Sequence, residues 1–215
     1  MLLPDGPGGA DVSCDPSGPV MEKMFAAVAG FAVALMVATA GLGLWLGDLH
    51  GQTDQAVLRW GTVHRLSGVL AALVVVLVNS MSVTYFIGTG RWCREVVETY
   101  GLPVEFIGRS KRIKRASFPF ALIGMLSVVA IVALGGAADP AAGRPGSEDW
   151  VTPHLLGGIG LAGVIAACFQ AQRSRIRQQQ SLIAELVSAV REIRQSRGLE
   201  VEPLPQESLV ASPGG

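Results

Sequence analysis

Residues 24–46 read MFAAVAGFAVALMVATAGLGLWL, which is 23 consecutive positions without a charged side chain. At about 1.5 Å per residue, a helix of this length measures about 35 Å and can cross the roughly 30 Å hydrocarbon core of a bilayer. A cleaved signal peptide has a shorter apolar core and a small-residue cleavage site, and residues 47–50 offer no such site. The run therefore predicts a transmembrane helix that the protein retains.

Three more apolar segments follow the first. Their lengths and flanking charges predict further transmembrane helices at 60–88, 116–138 and 151–172. The chain is thus expected to be all-α, with a four-helix transmembrane bundle over residues 22–172 and a cytoplasmic helix over 173–198. The end segments, 1–21 and 199–215, are rich in glycine, proline and polar residues, and they are predicted to be disordered tails.

The distribution of charge predicts the orientation in the membrane. Residues 89–115 carry seven lysines and arginines against three glutamates, and residues 173–197 carry six arginines against two glutamates. The short connections at 47–59 and 139–150 are poor in basic residues. The positive-inside rule then places both termini in the cytoplasm, in an inner or plasma membrane. The basic run at 109–115 adjoins a membrane helix, which favours contact with anionic lipid head groups over nucleic-acid binding.

The segment after the fourth apolar stretch has a heptad pattern. Apolar residues recur at alternating heptad positions, and charged residues surround them: Ile176, Ile183, Leu186, Val190 and Ile193. Two interpretations follow from this spacing. The helix forms a short coiled coil with another copy or a partner, or it packs as an amphipathic helix on its own protein or on the membrane surface.

A nine-residue motif occurs twice in the chain. Residues 60–68 read WGTVHRLSG and residues 150–158 read WVTPHLLGG, so W-x-T-x-H-x-L-x-G recurs at an offset of 90 residues. Its position at the start of the second and fourth membrane helices predicts a duplicated helical hairpin with a pseudo-twofold axis along the membrane normal. Each tryptophan suits the membrane interface, and each histidine follows about 6 Å deeper. His64 and His154 are therefore expected to face each other at one depth near the outer surface.

Two facing neutral imidazoles match the axial ligand set of a b-type haem inside a helix bundle. We expect His64 and His154 to bind the metal of this cofactor. Gly68 and Gly158, one turn deeper, would leave room for the porphyrin. The absence of CxxCH from the sequence excludes covalent attachment of the c type.

Two alternatives to haem remain open at the histidine pair. The first is another metal, such as zinc or copper, completed by His50 or by acidic residues of the outer connections. The second is a structural role, in which both imidazoles hydrogen-bond to backbone, threonine or water near the head groups.

The stretch His64-Arg65-Leu66-Ser67-Gly68 resembles the HRxSG signature of the large cytochrome b subunit of succinate dehydrogenases. The resemblance covers five residues and implies a quinone near Arg65 and Ser67. The chain departs from that family in having four helices and an internal repeat. The charge rule also places its motif on the outer side, whereas the motif of the family lies on the inner side. Arg65 could equally reach outer lipid phosphates.

Two functions follow as hypotheses. The first is a membrane cytochrome, an electron carrier rather than an enzyme, between the quinone pool and a redox partner at the outer surface. The second is a non-enzymatic scaffold whose coiled coil recruits a partner or forms a homo-oligomer. A transporter is disfavoured because no acidic residue lies within a predicted membrane helix. A hydrolase is disfavoured because Ser67, near His64, has no acidic partner in the membrane.

Overall fold

The structure is a computed structural model that describes residues 20–198. The predicted tails lie outside this range, apart from two residues at the start of the first helix. Within the range, four long helices follow one another: α1 (Val20–Leu46), α2 (Gln55–Tyr100), α3 (Glu105–Ala138) and α4 (Val151–Ser196). Two short 3-10 turns, Pro140–Ala142 and Ser147–Trp150, connect α3 to α4. All four long helices are long and apolar enough to cross a membrane.

The four helices form a bundle in which each helix packs against the next and α1 packs against α4. α2 and α4 therefore lie diagonally across the bundle. Its core consists of small, β-branched and aromatic side chains: Phe25, Ala29, Ala32, Ala71, Val75, Val78, Ile165 and Phe169. Large apolar side chains such as Leu73, Leu126 and Leu156 are more than half exposed on the outside. An outer surface this apolar is suited to lipid rather than to water.

Two of the helices are much longer than a membrane is thick. α2 and α4 have 46 residues each, which corresponds to about 70 Å of helix. The excess lies at one end of the bundle, and we call it the extension: residues 88–100 of α2, 105–115 of α3 and 173–196 of α4. The opposite end, where α1 and α3 finish and α2 and α4 begin, is the histidine end. At the tip of the extension, α2 stops at Gly101, which adopts the left-handed conformation (φ 66°) of a helix C-cap.

The extension has a core of its own. Cys93 and Val97 of α2 are buried in the extension, and so are Leu182 and Leu186 of α4. At its surface the guanidinium of Arg109 donates two hydrogen bonds to the Glu185 carboxylate, at 2.5 and 2.9 Å. The three helices therefore stabilise one another outside the apolar part of the bundle.

The separate helix predicted over residues 173–198 is instead the continuation of α4. The change from apolar to charged residues at position 173 does not interrupt the helix, because no glycine or proline lies between Gly163 and Gly198. Much of its apolar face packs on its own chain, with Ile176, Leu182 and Leu186 at most 1% exposed. Ion pairs from Arg173 and Arg177 to Glu22 also hold the continuous helix against the first turn of α1.

Truncating Leu186 to alanine should loosen the extension. Leu186 is fully buried, and a buried leucine-to-alanine change costs roughly 2–5 kcal/mol. Neighbouring Val187 is 36% exposed, so Val187→Ala is a matched control. We expect it to lower the free energy of unfolding by about 1 kcal/mol or less. Thermal unfolding of the purified variants in detergent measures both. Equal melting temperatures for the two variants would contradict the packing of α4 against the extension.

Candidate functional site

The imidazoles of His64 and His154 meet in the centre of the bundle at the histidine end. His64 lies on α2 and His154 on α4, the two helices that are diagonal to each other. Their ring centroids are 6.3 Å apart, and the ring planes make an angle of 73°. The structure therefore brings together the two residues that the repeated motif singles out.

Each imidazole packs against a glycine on the preceding helix. A Cβ atom added to Gly43 of α1 would lie 2.8 Å from Cε1 of His64. A Cβ atom added to Gly135 of α3 would lie 3.1 Å from Cε1 of His154. Both distances are shorter than ordinary carbon–carbon contacts. Glycine at these two positions is therefore what lets the rings reach the centre of the bundle.

The hydrogen bonds of the two rings differ. Nδ1 of His64 donates to the backbone carbonyl of Thr39 at 3.1 Å, since a carbonyl oxygen can only accept. This bond fixes the tautomer in which Nε2 carries the free lone pair. Nδ1 of His154 is buried and has no hydrogen-bond partner within residues 20–198. Thr39 lies four residues before Gly43, and Ile131 lies four residues before Gly135, so the carbonyl of Ile131 occupies the corresponding place on α3.

Two cavities adjoin the histidine pair. One has a volume of about 240 Å³ and is lined mainly by α1 and α4, and the other has about 350 Å³ and is lined mainly by α2 and α3. Both histidines line both cavities. Gly68 also lines both, and Gly158 lines the first. Apolar walls with a few polar groups are typical of small-molecule and cofactor sites, and the volume of the second cavity lies at the lower end of the roughly 300–1,000 Å³ that such sites have.

Arg65 and Ser67 have separate environments. Nη1 of Arg65 donates to Oδ1 of Asp139 at 3.0 Å, and both side chains line the second cavity. The Ser67 hydroxyl donates to the carbonyl of His64 at 2.9 Å and accepts from the Thr39 hydroxyl at 3.1 Å. Arg65 therefore contributes a positive charge to the wall of the cavity, whereas Ser67 joins α1 to α2.

The third histidine of the chain links the two connections at the histidine end. His50 donates from Nδ1 to Asp48 at 2.5 Å, and its Nε2 lies 2.9 Å from the Ser147 hydroxyl. Hydrogen bonds from the backbone and side chain of His50 hold the pKa of the Asp48 carboxyl below its usual range. The order of groups is that of a hydrolytic triad, but Ser147 is only 4% exposed, and a substrate carbonyl cannot reach its oxygen. The contact of Asp48, His50 and Ser147 holds the two connections together, and we call it the clasp.

The alternative of zinc or copper with three or more protein ligands finds no support in the part of the chain that the structure describes. Among residues 20–198, histidine, cysteine, aspartate and glutamate side chains do not form a group of three that could hold a metal ion. His50 is engaged by Asp48 and Ser147. The site offers two imidazole ligands, which suits a cofactor that brings its own equatorial donors.

The sequence interpretation missed Gly43 and Gly135. It assigned the space beside the rings to Gly68 and Gly158, which share a helix with the histidines. The close contacts come instead from the partner helices. The sequence did contain a signal, because each of these glycines lies three residues before the end of the apolar run of its helix, at Leu46 and Ala138.

Comparison with known proteins identifies no relative. No family model matches the sequence, and neither curated proteins nor solved structures give a match. The five-residue resemblance at 64–68 therefore stays a prediction, and the function must be argued from the geometry of the site.

Substituting Gly43 by alanine should displace His64 and destabilise the histidine end. Gly41 is the matched control, because a Cβ there meets no atom within 4 Å and alanine favours a helix interior by about 1 kcal/mol over glycine. The same comparison can be made on α3, with Gly135→Ala against Gly136→Ala, where the control position is again open. Thermal unfolding should show a lower melting temperature for G43A than for G41A, with a smaller difference on α3. A G43A protein as stable as G41A would show that the ring does not depend on this contact.

Proposed function

We propose that the protein is a membrane electron carrier that binds a b-type haem between His64 and His154. The observation that carries the proposal is the distance between the two rings. Two metal–imidazole bonds of about 2 Å each, together with the half-widths of the two rings, require a centroid separation of about 6 Å. The observed separation is 6.3 Å. The separation of the ring centroids therefore matches that of two imidazoles bound to one metal ion.

The surroundings of the rings support the same assignment. Metal-binding histidines usually donate their second nitrogen to a carbonyl or carboxylate, which orients the ring and increases its basicity. The bond from His64 to Thr39 is of this kind. The buried and unpartnered Nδ1 of His154 would complete the pattern through a small rotation of the ring toward the carbonyl of Ile131. Nε2 of neither ring is engaged by another residue of the described chain.

The chemical character of the cavity walls suits a porphyrin. Their walls are largely apolar, which favours a flat macrocycle, and Gly68 and Gly158 keep the surroundings open one turn deeper than the histidines. Arg65 is the cation in the wall of the second cavity. We assign it to the carboxylates of the haem, with Asp139 as its partner in the described structure.

Bound haem would supply a one-electron redox centre. The chain itself performs three tasks at this centre. The two imidazoles would hold the iron, the Thr39 carbonyl would set the basicity of the His64 ring, and the apolar helix faces would limit the access of water, which tunes the redox potential. We assign electron transfer rather than an enzymatic reaction, because the proposal uses both imidazoles of the site as ligands.

The repeated motif and the charge distribution add the wider setting to this proposal. The contact of His64 with Gly43 and that of His154 with Gly135 support a duplicated helical hairpin, because each pairs the two helices of one half of the bundle. By the positive-inside rule the histidine end faces outward and the extension lies in the cytoplasm. The carrier would then exchange electrons with a quinone in the bilayer and with a redox partner at the outer surface.

The non-enzymatic scaffold remains the alternative hypothesis. The extension gives it limited support, because Leu186 and Leu182 are buried within the chain and only partly buried residues such as Val190 and Ile193 remain for another copy or a partner. If the protein is a scaffold, His64→Ala and His154→Ala should leave its oligomeric state unchanged. The wild type and both variants should then be colourless.

Purified protein from cells supplied with haem should show a Soret band and a pyridine haemochromogen of the b type. His64→Ala and His154→Ala should each lower the bound haem at least about tenfold, since losing one well-placed ligand commonly costs more than 1.4 kcal/mol. His50→Ala is the matched control, because this histidine belongs to the clasp and lies outside both cavities.

Two results would overturn the assignment. One is a colourless wild-type protein from haem-replete cells, with its fold verified by circular dichroism. The other is equal haem content in the wild type and in both H64A and H154A, which would place the haem elsewhere.

A further inference from the structure

We propose that water enters the bundle from the extension and fills a seam between α2, α3 and α4 as far as the pair Asn79 and Gln172. The seam would be a half-channel that brings water, and the protons that hydrogen-bonded water carries, into the half of the membrane away from the histidine pair. This inference stands on residues other than the histidine site and does not depend on haem.

The three helices bury a series of uncharged polar side chains along their shared interface. Each of these side chains is at most 1% exposed: Asn79, Ser82, Ser117, Gln172 and Gln179. Nε2 of Gln172 donates to Oδ1 of Asn79 at 3.0 Å, and Nε2 of Gln179 donates to the Ser110 hydroxyl at 3.1 Å. The series therefore begins and ends with a direct contact between two helices, at Asn79 and at Gln179.

Several buried polar atoms in the series have no partner in residues 20–198. They are the hydroxyl oxygens of Ser82 and Ser117 and the amide oxygens of Gln172 and Gln179. A buried polar atom without a hydrogen bond destabilises the fold, since the atom has lost its bonds to water and gained none. Four such atoms are a large penalty against the small net stability of a folded protein. Buried water that bridges such groups is the usual solution.

The spacing of the groups suits a file of water molecules. Asn79 lies against Gly124 of α3, where an added Cβ would come within 3.0 Å of its amide, and Gln179 contacts Ser110 on the same helix. Positions 110 and 124 are separated by about 21 Å along α3. Ser117 lies halfway between them, and Ser82 is one turn from Asn79. A chain of a few hydrogen-bonded water molecules would cover intervals of about 10 Å along the helix axis, once side chains move aside to admit them.

The seam closes toward the histidine end. Val75 lies one turn beyond Asn79, and Val75 and Ile165 are both fully buried and apolar. The first histidine cavity begins one turn further along α2, at Ala71 and Ala72. A plug that is apolar on α2 and α4, with the buried Ser127 beside it on α3, therefore separates the proposed water from the cavity that adjoins the two imidazoles.

Cysteine labelling in proteoliposomes tests the half-channel. In full-length protein with its three native cysteines replaced by alanine or serine, Ser82→Cys is compared with Leu122→Cys. Leu122 lies near the same depth, two residues from Gly124, but is 58% exposed on the outer face of the bundle. Thiols react as thiolates, which form in water and not in hydrocarbon. Silver ion, which binds thiolates and is small enough to follow a file of water, is added on the side of the extension and should block S82C at least about tenfold faster than L122C, as measured by maleimide labelling of the remaining free thiols after unfolding.

Two further variants make the result decisive. Ser117→Cys, nearer the extension, should react at least as fast as S82C, and it decides the matter alone where S82C does not fold. Val75→Cys should react as slowly as L122C, because it lies in the plug. Rates for S82C and S117C no higher than that of L122C would show that the seam is dry and overturn the proposal. Fast blocking of V75C by silver ion from the same side would contradict the claim that the seam closes at Val75.

Discussion

The contact between an imidazole and a glycine on the neighbouring helix determines how the histidine end is built. His64 fits against Gly43 and His154 against Gly135, at distances that leave no room for a Cβ atom. Each ring therefore passes between the two helices of its own hairpin and reaches the centre of the bundle. There the centroids of the two rings are 6.3 Å apart. The absence of a side chain at Gly43 also opens the way to the carbonyl of Thr39, which orients the His64 ring. The separation of the two possible ligands is thus a property of helix packing, and the rigidity of the four packed helices maintains it.

The bundle distributes its polar groups unequally along its length. At the histidine end they comprise the central pair, the Thr39–Ser67 contact between α1 and α2, and the contacts of Arg65 and His50 near the surface. In the other half, amides and hydroxyls continue through the interior into the extension. Between them lies an apolar layer with Val75 and Ile165 at its centre. In a low-dielectric environment such a layer limits the movement of water and charge. A redox site at one end and a hydrated seam at the other would therefore be insulated from each other.

The sequence predicts the number of helices and the identity of the central pair, because both follow from the pattern of residues along the chain. Charge-free runs define the four spans, and the offset of 90 residues places His64 and His154 at equivalent positions. The sequence does not show that Gly43 and Gly135 contact the histidine rings, since these contacts depend on how one helix is rotated relative to its neighbour. The continuity of α4 could have been expected from the lack of glycine or proline after Gly163. The shift to charged residues at position 173 instead suggested a boundary, although it changes the solvent around the helix and not the helix itself.

Electron paramagnetic resonance of the oxidised purified protein tests the central claim most directly, because the spin state of ferric haem reports its axial ligands. Two imidazoles from His64 and His154 predict one low-spin ferric species per chain. Replacing either histidine by alanine should convert the remaining haem iron to a high-spin form, whereas His50→Ala should leave the low-spin signal unchanged. A protein without haem iron, or one with a low-spin signal that survives both substitutions, would contradict the assignment of this pair.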